Sequence, residues 1–404
     1  MALPPGGRTI EGMATATTTP ILRPVQEHDL DEIAGLSREA FREQASPARW
    51  LRDGWVLERD GRVDGAMTIE QLGQFVGGAA VPAAIVDYIS VRADARGRGL
   101  GLQLMAGLVE RLRASGVALA SGCPSTHRFY RQFGWEVCGT RTIWTARLND
   151  VPAAPAEGRV EQWGERDLDA VRACYRRFAA DRNGPLDRPR HWWEERVLRA
   201  GERPLERILV RRDGEVRGYL LYEQHPAPAA LPYYWIDCRE LVWLDGDAAR
   251  ALLAFLARQG TLGRHVDWPG APDEPLLRAF EQQGMTVRHY VPWISRLIDV
   301  PAALAARSYP RGIELELTLR VVDPLVEANA CPLRLAVADG RGLVEPAESA
   351  AIELDVDTLT PLYTGWADPR SLARLGGLRG AGPAELDLLA VLFAGPAAWL
   401  PEVL

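Results

Sequence analysis

The run ADARGRGLGLQLM at residues 93–105 follows the apolar stretch AAIVDYISV and sets three glycines and two arginines where a strand gives way to a helix. Gly97, Gly99 and Gly101 lack the Cβ that would keep another group off the backbone. A helix opening at Leu100 would present unpaired N–H groups and the positive end of its dipole. With Arg96 and Arg98 nearby, that combination makes a seat for phosphate, although a tight strand-to-helix turn has the same composition.

The chain around this run has 404 residues, more than one core holds, so two or three domains are expected. Its composition, 47% hydrophobic and 25% charged, is that of a folded soluble protein. Lys and Arg total 47 against 54 Asp and Glu, and the net charge of −7 argues against nucleic acid and favours a cationic substrate. Cys123, Cys138, Cys174, Cys238 and Cys331 are scattered, which suits a reducing cytoplasm and suggests no metal site. No apolar run reaches transmembrane length, so no membrane association is expected. Residues 1–19 have no signal-peptide core and read as a flexible leader.

Laid against itself, the chain repeats. VQEHDLDEIAGLSREAF (25–41) resembles WGERDLDAVRACYRRF (163–178), each a loop, an Asp cap at Asp29 or Asp167, and an amphipathic helix. WVLERDGRVDGAMTIE (55–70) resembles ILVRRDGEVRGYLLYE (208–223), each a hairpin about an Arg-Asp-Gly turn. The repeat breaks at the glycine-rich run. There the second copy has RELVWLDGDAARALL, and Asp245 and Asp247 would repel phosphate. The second copy therefore reads as scaffold and the first as the place for chemistry. From about residue 296 a third, α+β part begins, with a proline-led helix in RLIDVPAALAARSYP and strands in GIELELTLRVVD, CPLRLAVADG and AIELDVDTL. Helical stretches then lead to the end, PAELDLLAVLFAGPAAWLPEVL.

These stretches resemble a known group. Arg96 to Gly101 match the Arg/Gln-x-x-Gly-x-Gly/Ala signature of the GCN5-related N-acetyltransferases, and HRFYRQFGWE (127–136) resembles their later Tyr-x-x-x-Gly signature. The duplication, PWISRLIDVPAALAARSYP and DVDTLTPLYTGWADPRSLARLG narrow the resemblance to the enhanced-intracellular-survival (Eis) type. It implies α/β and α+β architecture: tandem acetyltransferase folds of mixed sheet flanked by helices, then an α+β domain like sterol carrier protein. The domains expected are a catalytic one at 20–150, a degenerate copy at 151–295 and the sterol-carrier-like part at 296–404. A cytoplasmic homohexamer is implied.

The resemblance also distributes roles. Acetyl-CoA would enter where the fourth and fifth strands part. Ile89, Ser90 and Val91 match the strand that holds its acetyl and pantetheine groups. Gly97, Arg98, Gly99, Leu100, Gly101 and Leu102 match the pyrophosphate cradle, and Ser125 and Thr126 match further contacts. Tyr130 matches the tyrosine that gives a proton to the departing thiolate, a role suited to a phenol, which is still protonated at neutral pH; without the resemblance it reads as a core aromatic beside Phe129 and Phe133. The C-terminal carboxylate, here of Leu404, would accept the proton of the amine; Glu402 could assist or substitute, although a solvated surface group is the expected fate of such a glutamate. Phe41, Glu43 and Trp50 match the acceptor wall, suited to amines of aminoglycoside-like or lysine-like acceptors. A different class of protein, a non-catalytic lipid- or CoA-binding regulator built on the sterol-carrier-like part, is the alternative.

Overall fold

The computed structural model describes residues 19–42, 45–199, 201–227 and 232–402. The chain divides into two compact units, Met1–Thr68 with Tyr88–Gly107, and Ile69–Asp87 with Leu108–Leu404. The first half of the chain runs through β1 (Ile21–Pro24), α1 (Leu30–Phe41), α2 (Pro47–Asp53), β2 (Gly54–Arg59), β3 (Arg62–Val76), β4 (Ala79–Val91), α3 (Leu100–Ala114), β5 (Leu119–Gly122), α4 (His127–Arg131) and β6 (Glu136–Arg147). The second half repeats much of this order as β7 (Arg159–Gln162), α5 (Leu168–Ala180), β8 (Leu186–Asp187), α6 (Arg190–Trp192), β9 (Glu206–Arg212), β10 (Glu215–Pro226), β11 (Tyr234–Trp243), α7 (Gly246–Ala257), β12 (Gly263–Gly270) and β13 (Met285–Leu297).

In the smaller unit, β1, β2 and the start of β3 pair antiparallel, with Ile21 opposite Glu58 and Gly54 opposite Thr68. Ile33, Leu36, Trp50, Val56, Val63 and Ala66 form its core. The hairpin turns are where the Asp-Gly pairs put them. Asp60 and Gly61, and in the other copy Asp213 and Gly214, all take positive φ, as such two-residue turns require.

The aspartate caps take another form than expected. A 3-10 turn precedes each helix, so Asp29 and Asp167 sit in helical backbone and their side chains reach back instead of forward. Asp29 accepts from the Gln26 N–H at 2.8 Å and Asp167 from the Gly164 N–H at 3.1 Å. Each also holds an arginine. Arg23 on β1 bonds Asp29 (2.7 Å) and Glu58 on β2 (2.8 Å). In the second copy the signs on the strands are exchanged: Arg211 on β9 bonds Asp167 (3.0 Å) and Glu161 on β7 (2.8 Å).

In the larger unit the two copies exchange their last strands. Parallel β4 and β5 are continued by β13, the final strand of the second copy. Parallel β11 and β12 are continued by β6, the final strand of the first. β6 and β13 then pair with each other from Glu136 opposite Ser295 to Ala146 opposite Met285, and Gly139 makes room for the Trp293 ring. Beyond this sheet lie α8 (Val300–Ala306), β14 (Leu315–Val322), β15 (Leu333–Ala338), β16 (Arg341–Pro346), β17 (Ile352–Asp355), α9 (Val356–Tyr363), α10 (Pro369–Arg374), β18 (Leu378–Arg379) and α11 (Pro383–Leu392). Their sheet runs β16-β15-β14-β17-β18. The strand expected in AIELDVDTL stops at Asp355, where α9 starts. β16 had no sequence signal, because an edge strand with both faces largely exposed shows no alternation.

A buried ion pair ties this last part to β13. Arg296, fully buried, donates to both carboxylate oxygens of Asp323 (2.7 and 3.0 Å), which also accept from the Leu325 and Val326 N–H groups and the Asn329 amide. Asp323→Ala would strand that guanidinium without its partner, and we expect it to destabilise the larger unit by about 3–5 kcal/mol. Adding Arg296→Met should recover much of the loss, which denaturant unfolding of the two variants measures.

Candidate active site

In the smaller unit the glycine-rich run behaves as its composition demands. Gly97 and Gly99 both sit at φ +77°, where only glycine is at ease, and open space faces them. α3 begins at Leu100, and its first internal bonds run from the Leu102 and Gln103 N–H groups to the Gly99 carbonyl (3.1 and 3.2 Å). Among the described residues, no backbone carbonyl accepts from the N–H groups of Gly97 to Gly101. Five donors are thus left at the positive end of a 15-residue helix. Arg98 is exposed beside them. Arg96 is otherwise engaged, bonding the Val91 carbonyl (3.0 Å) and lying 3.6 Å from Glu39. Leu102 projects outward, 48% exposed.

The strand leading to this run is kinked. Tyr88 has φ +54°, a strained value for a bulky side chain. The kink turns Ser90 inward, where its hydroxyl bonds the Tyr88 carbonyl at 3.2 Å, and leaves Ile89 and Val91 half-buried. It also brings the expected acceptor-wall residues around one ring. Phe41 stands edge-on to Tyr88 at 5.5 Å, Trp50 lies at 5.8 Å, and the Arg49 guanidinium at 5.2 Å. Tyr88 was missed by the sequence reading, since nothing in its residue type announces positive φ. Glu43 lies outside the described residues.

In the larger unit, parallel pairing of β4 with β5 ends at Ile85 opposite Ser121. Gly122 is the last residue of β5, and a Cβ there would meet the Val86 carbonyl at 2.7 Å. Cys123 to Thr126 then lead to α4, with Ser125 and Thr126 exposed. Tyr130 on α4 is 9% exposed and packs edge-on against Phe129 (5.4 Å) and Trp135 (6.1 Å). Gly134, at φ +74°, closes the turn after it, because any Cβ there would strike Val356 at 2.6 Å. That contact is the physical content of the Tyr-x-x-x-Gly spacing. Burial, with negative charge at Asp87 and Cys123 adding, pushes the Tyr130 phenol up to about 12. Unpredicted polar groups lie next to Asp87: Arg196 reaches Asp87 (4.0 Å) and the buried Glu70 (3.6 Å), and the His191 Nε2 is 3.0 Å from Glu70.

The end of the described chain also belongs to the larger unit. Trp399 and Leu400 donate to the Asn183 and Thr140 carbonyls (3.0 and 3.1 Å), and Arg141 Nε donates to the Pro401 carbonyl (3.3 Å). Glu402 is not the solvated group expected. It is buried, accepting from Arg188 Nε (2.7 Å), the Tyr175 hydroxyl (3.0 Å) and the Leu186 N–H (3.4 Å). Burial requires partners for such a carboxylate, and the second copy supplies these three, all to Oε1. Leu404 lies outside the described residues.

The helix start equivalent to the mouth of α3 is closed in the second copy. Asp245 caps α7 through the Ala248 N–H (2.9 Å) and also takes Arg212 and Arg217 (both 2.8 Å). Among the described residues no three His, Cys, Asp or Glu side chains are grouped to hold a metal ion, and no helix is long and apolar enough to cross a membrane.

Comparison with known proteins fits this layout. Residues 22–138 match an acetyltransferase (GNAT) domain, residues 184–297 a second acetyltransferase (GNAT) domain, and residues 300–401 a sterol carrier protein domain. Over 397 residues, 91% of each chain, the sequence is 31% identical to an uncharacterized N-acetyltransferase of Streptomyces coelicolor. It is 28% identical over 373 residues to N-acetyltransferase Eis of Mycobacterium tuberculosis, covering 85% of this chain and 87% of that one. The chain belongs to the Eis-type GCN5-related N-acetyltransferases. The fold agrees: a GCN5-related N-acetyltransferase from Anabaena variabilis superposes with a TM-score of 0.90 at 24% identity, covering 95% of this chain and 100% of that one. Eis1 from Mycobacterium abscessus gives 0.80 at 22% identity, with coverage of 95% and 100%. An Eis-type chain with two acetyltransferase domains is an enzyme, and its family takes acetyl from acetyl-CoA. A purely lipid-binding regulator is not favoured.

Two measurements follow from the Eis-type site. Gly99→Ala meets no neighbour but forces alanine to positive φ, so it should weaken acetyl-CoA binding several-fold by calorimetry while costing only about 1–2 kcal/mol of stability. The raised folded-state value at Tyr130 means that the protonated phenol persists through its ordinary pKa of 10.0 and is lost as pH rises through about 12. Turnover should therefore show no Tyr130-dependent fall before pH 10, judged against Tyr130→Phe.

Proposed function

We propose that this enzyme transfers acetyl from acetyl-CoA to primary amines of aminoglycoside-like or lysine-like acceptors. The observation that carries the reading is the set of N–H groups from Gly97 to Gly101 without acceptor carbonyls at the mouth of α3. Their count, the absence of Cβ atoms and the exposed Arg98 fit a pyrophosphate. Acetyl-CoA supplies the acetyl group already activated as a thioester. In this reading Gly97 to Leu102 bind the diphosphate, with Ser125 and Thr126 as further contacts. The backbone of Ile89, Ser90 and Val91 lies along the pantetheine, and an N–H there stabilises negative charge developing on the carbonyl oxygen.

Tyr130 is the general acid. Its burial keeps the phenol protonated, so it can give its proton to the departing sulfur at any physiological pH. The Leu404 carboxylate is the general base that accepts the amine's proton. Phe41, Trp50 and Glu43 form the acceptor wall, and the ring of Tyr88 joins the two aromatics. The domain limits 20–150, 151–295 and 296–404, a leader at 1–19, cytoplasmic location and a homohexamer belong to the same reading.

Release of free thiol from acetyl-CoA, measured against a panel of amines, tests it. Thiol release no faster than background hydrolysis with every amine would refute it. Tyr130→Phe should lower kcat by about one to three orders of magnitude with acetyl-CoA affinity kept. Residues added after Leu404 should cripple turnover in the same way, and full activity in such a protein would remove Leu404 from the mechanism.

A further inference from the structure

Among the described residues the hydrogen-bond donors to Glu402, Tyr175, Leu186 and Arg188, come from the second copy, whose own helix mouth is closed. Arg188 lies at its centre with a side chain only 1% exposed, and it pairs with two carboxylates, Glu402 (2.7 Å) and Glu240. Tyr175 donates to Glu402 and Tyr219 to Glu240. Two carboxylates about one buried guanidinium are a poor device for stability, because desolvation offsets their attraction to it, and burial pushes the Glu240 carboxyl up. Apolar residues of similar volume would serve a core at least as well. What such a cluster does supply is position, since three donors converge on one oxygen, Glu402 Oε1, and hold it in one arrangement.

The segment it fixes runs past the first copy's chemistry. Trp399 bridges to Thr140 at the start of β6, and Pro401 receives Arg141. The Thr140 N–H donates to the Ala398 carbonyl (3.4 Å) and the Leu400 N–H to the Thr140 carbonyl (3.1 Å). The tail is therefore bonded to β6, the strand that leaves the Tyr130 turn, all within the larger unit.

We propose that Arg188 and Glu402 are positioning residues for the transfer reaction: the second acetyltransferase domain, without a phosphate seat of its own, clamps residues 396–402 of the sterol-carrier-like domain and so sets the geometry on the Tyr130 side of the first. The proposal rests on the reading of Tyr130 given above. Glu402 acts through the backbone it holds and touches no reacting atom.

Glu402→Ala tests it in the full-length enzyme, because Arg188 keeps Glu240 and is not left as a lone buried cation. With an amine that supports thiol release, kcat should fall about ten- to a hundredfold, while acetyl-CoA affinity by calorimetry stays within about twofold. Hydrogen exchange at the Trp399 and Leu400 amides should accelerate in the same protein. Tyr175→Phe removes one donor and almost no volume, and should show a smaller change in the same direction. Faster exchange with unchanged kcat would overturn the proposal, as would unchanged exchange. Loss of acetyl-CoA affinity in step with kcat would also overturn it, by showing general loosening. A fully active Tyr130→Phe enzyme would instead sink the underlying reading, and that result is independent of Glu402.

Discussion

The pairing of β6 with β13 is the constraint on which the rest of the larger unit depends. Each acetyltransferase copy lends its final strand to the other, so neither parallel pair is continued by a strand of its own copy. Backbone N–H and C=O groups buried in the middle of a sheet must be paired. The exchange meets that demand only when both copies are present. A copy whose helix mouth is closed thus still has a structural task, since its last strand continues the sheet of the other copy.

Against that shared frame, the two helix mouths show how little separates a binding site from a scaffold. At α3, glycines leave five N–H donors open to whatever anion arrives. At α7, one aspartate caps the helix and two arginines neutralise it. The dipole is the same at both ends, and the side chains decide whether it is offered to a ligand or consumed internally. The same economy holds elsewhere: Arg296 with Asp323 and Arg188 with Glu402 spend buried charge on joining domains rather than on chemistry.

Local features were legible in the sequence and long-range ones were not. The Asp-Gly hairpins and the strand-to-helix turn with its glycines ahead of Leu100 depend on residues a few positions apart, and both form as read. The two helix starts at Asp29 and Asp167 were placed correctly, but a short 3-10 turn redirected the side chains. Glu402 was misjudged because its partners, Tyr175 and Arg188, are over two hundred residues away, and an isolated carboxylate near a chain end looks solvated. Tyr88 escaped notice for the opposite reason: its strain comes from the strand's own kink, which no residue type signals. Strand exchange is likewise invisible to periodicity, since a strand looks the same whichever neighbour it joins.

The inverted charges on the outer strands carry a consequence for how a duplicated chain sorts itself while folding. β1 brings an arginine to β2's glutamate, whereas β7 brings a glutamate to β9's arginine. Were β1 to join β9 instead, Arg23 would face Arg211. Were β7 to join β2, Glu161 would face Glu58. Both misalliances set like charges side by side at hairpins that share the same Arg-Asp-Gly turn, so each strand finds its own relative unwelcoming. A sequence that carries two related hairpins thereby disfavours their trading places.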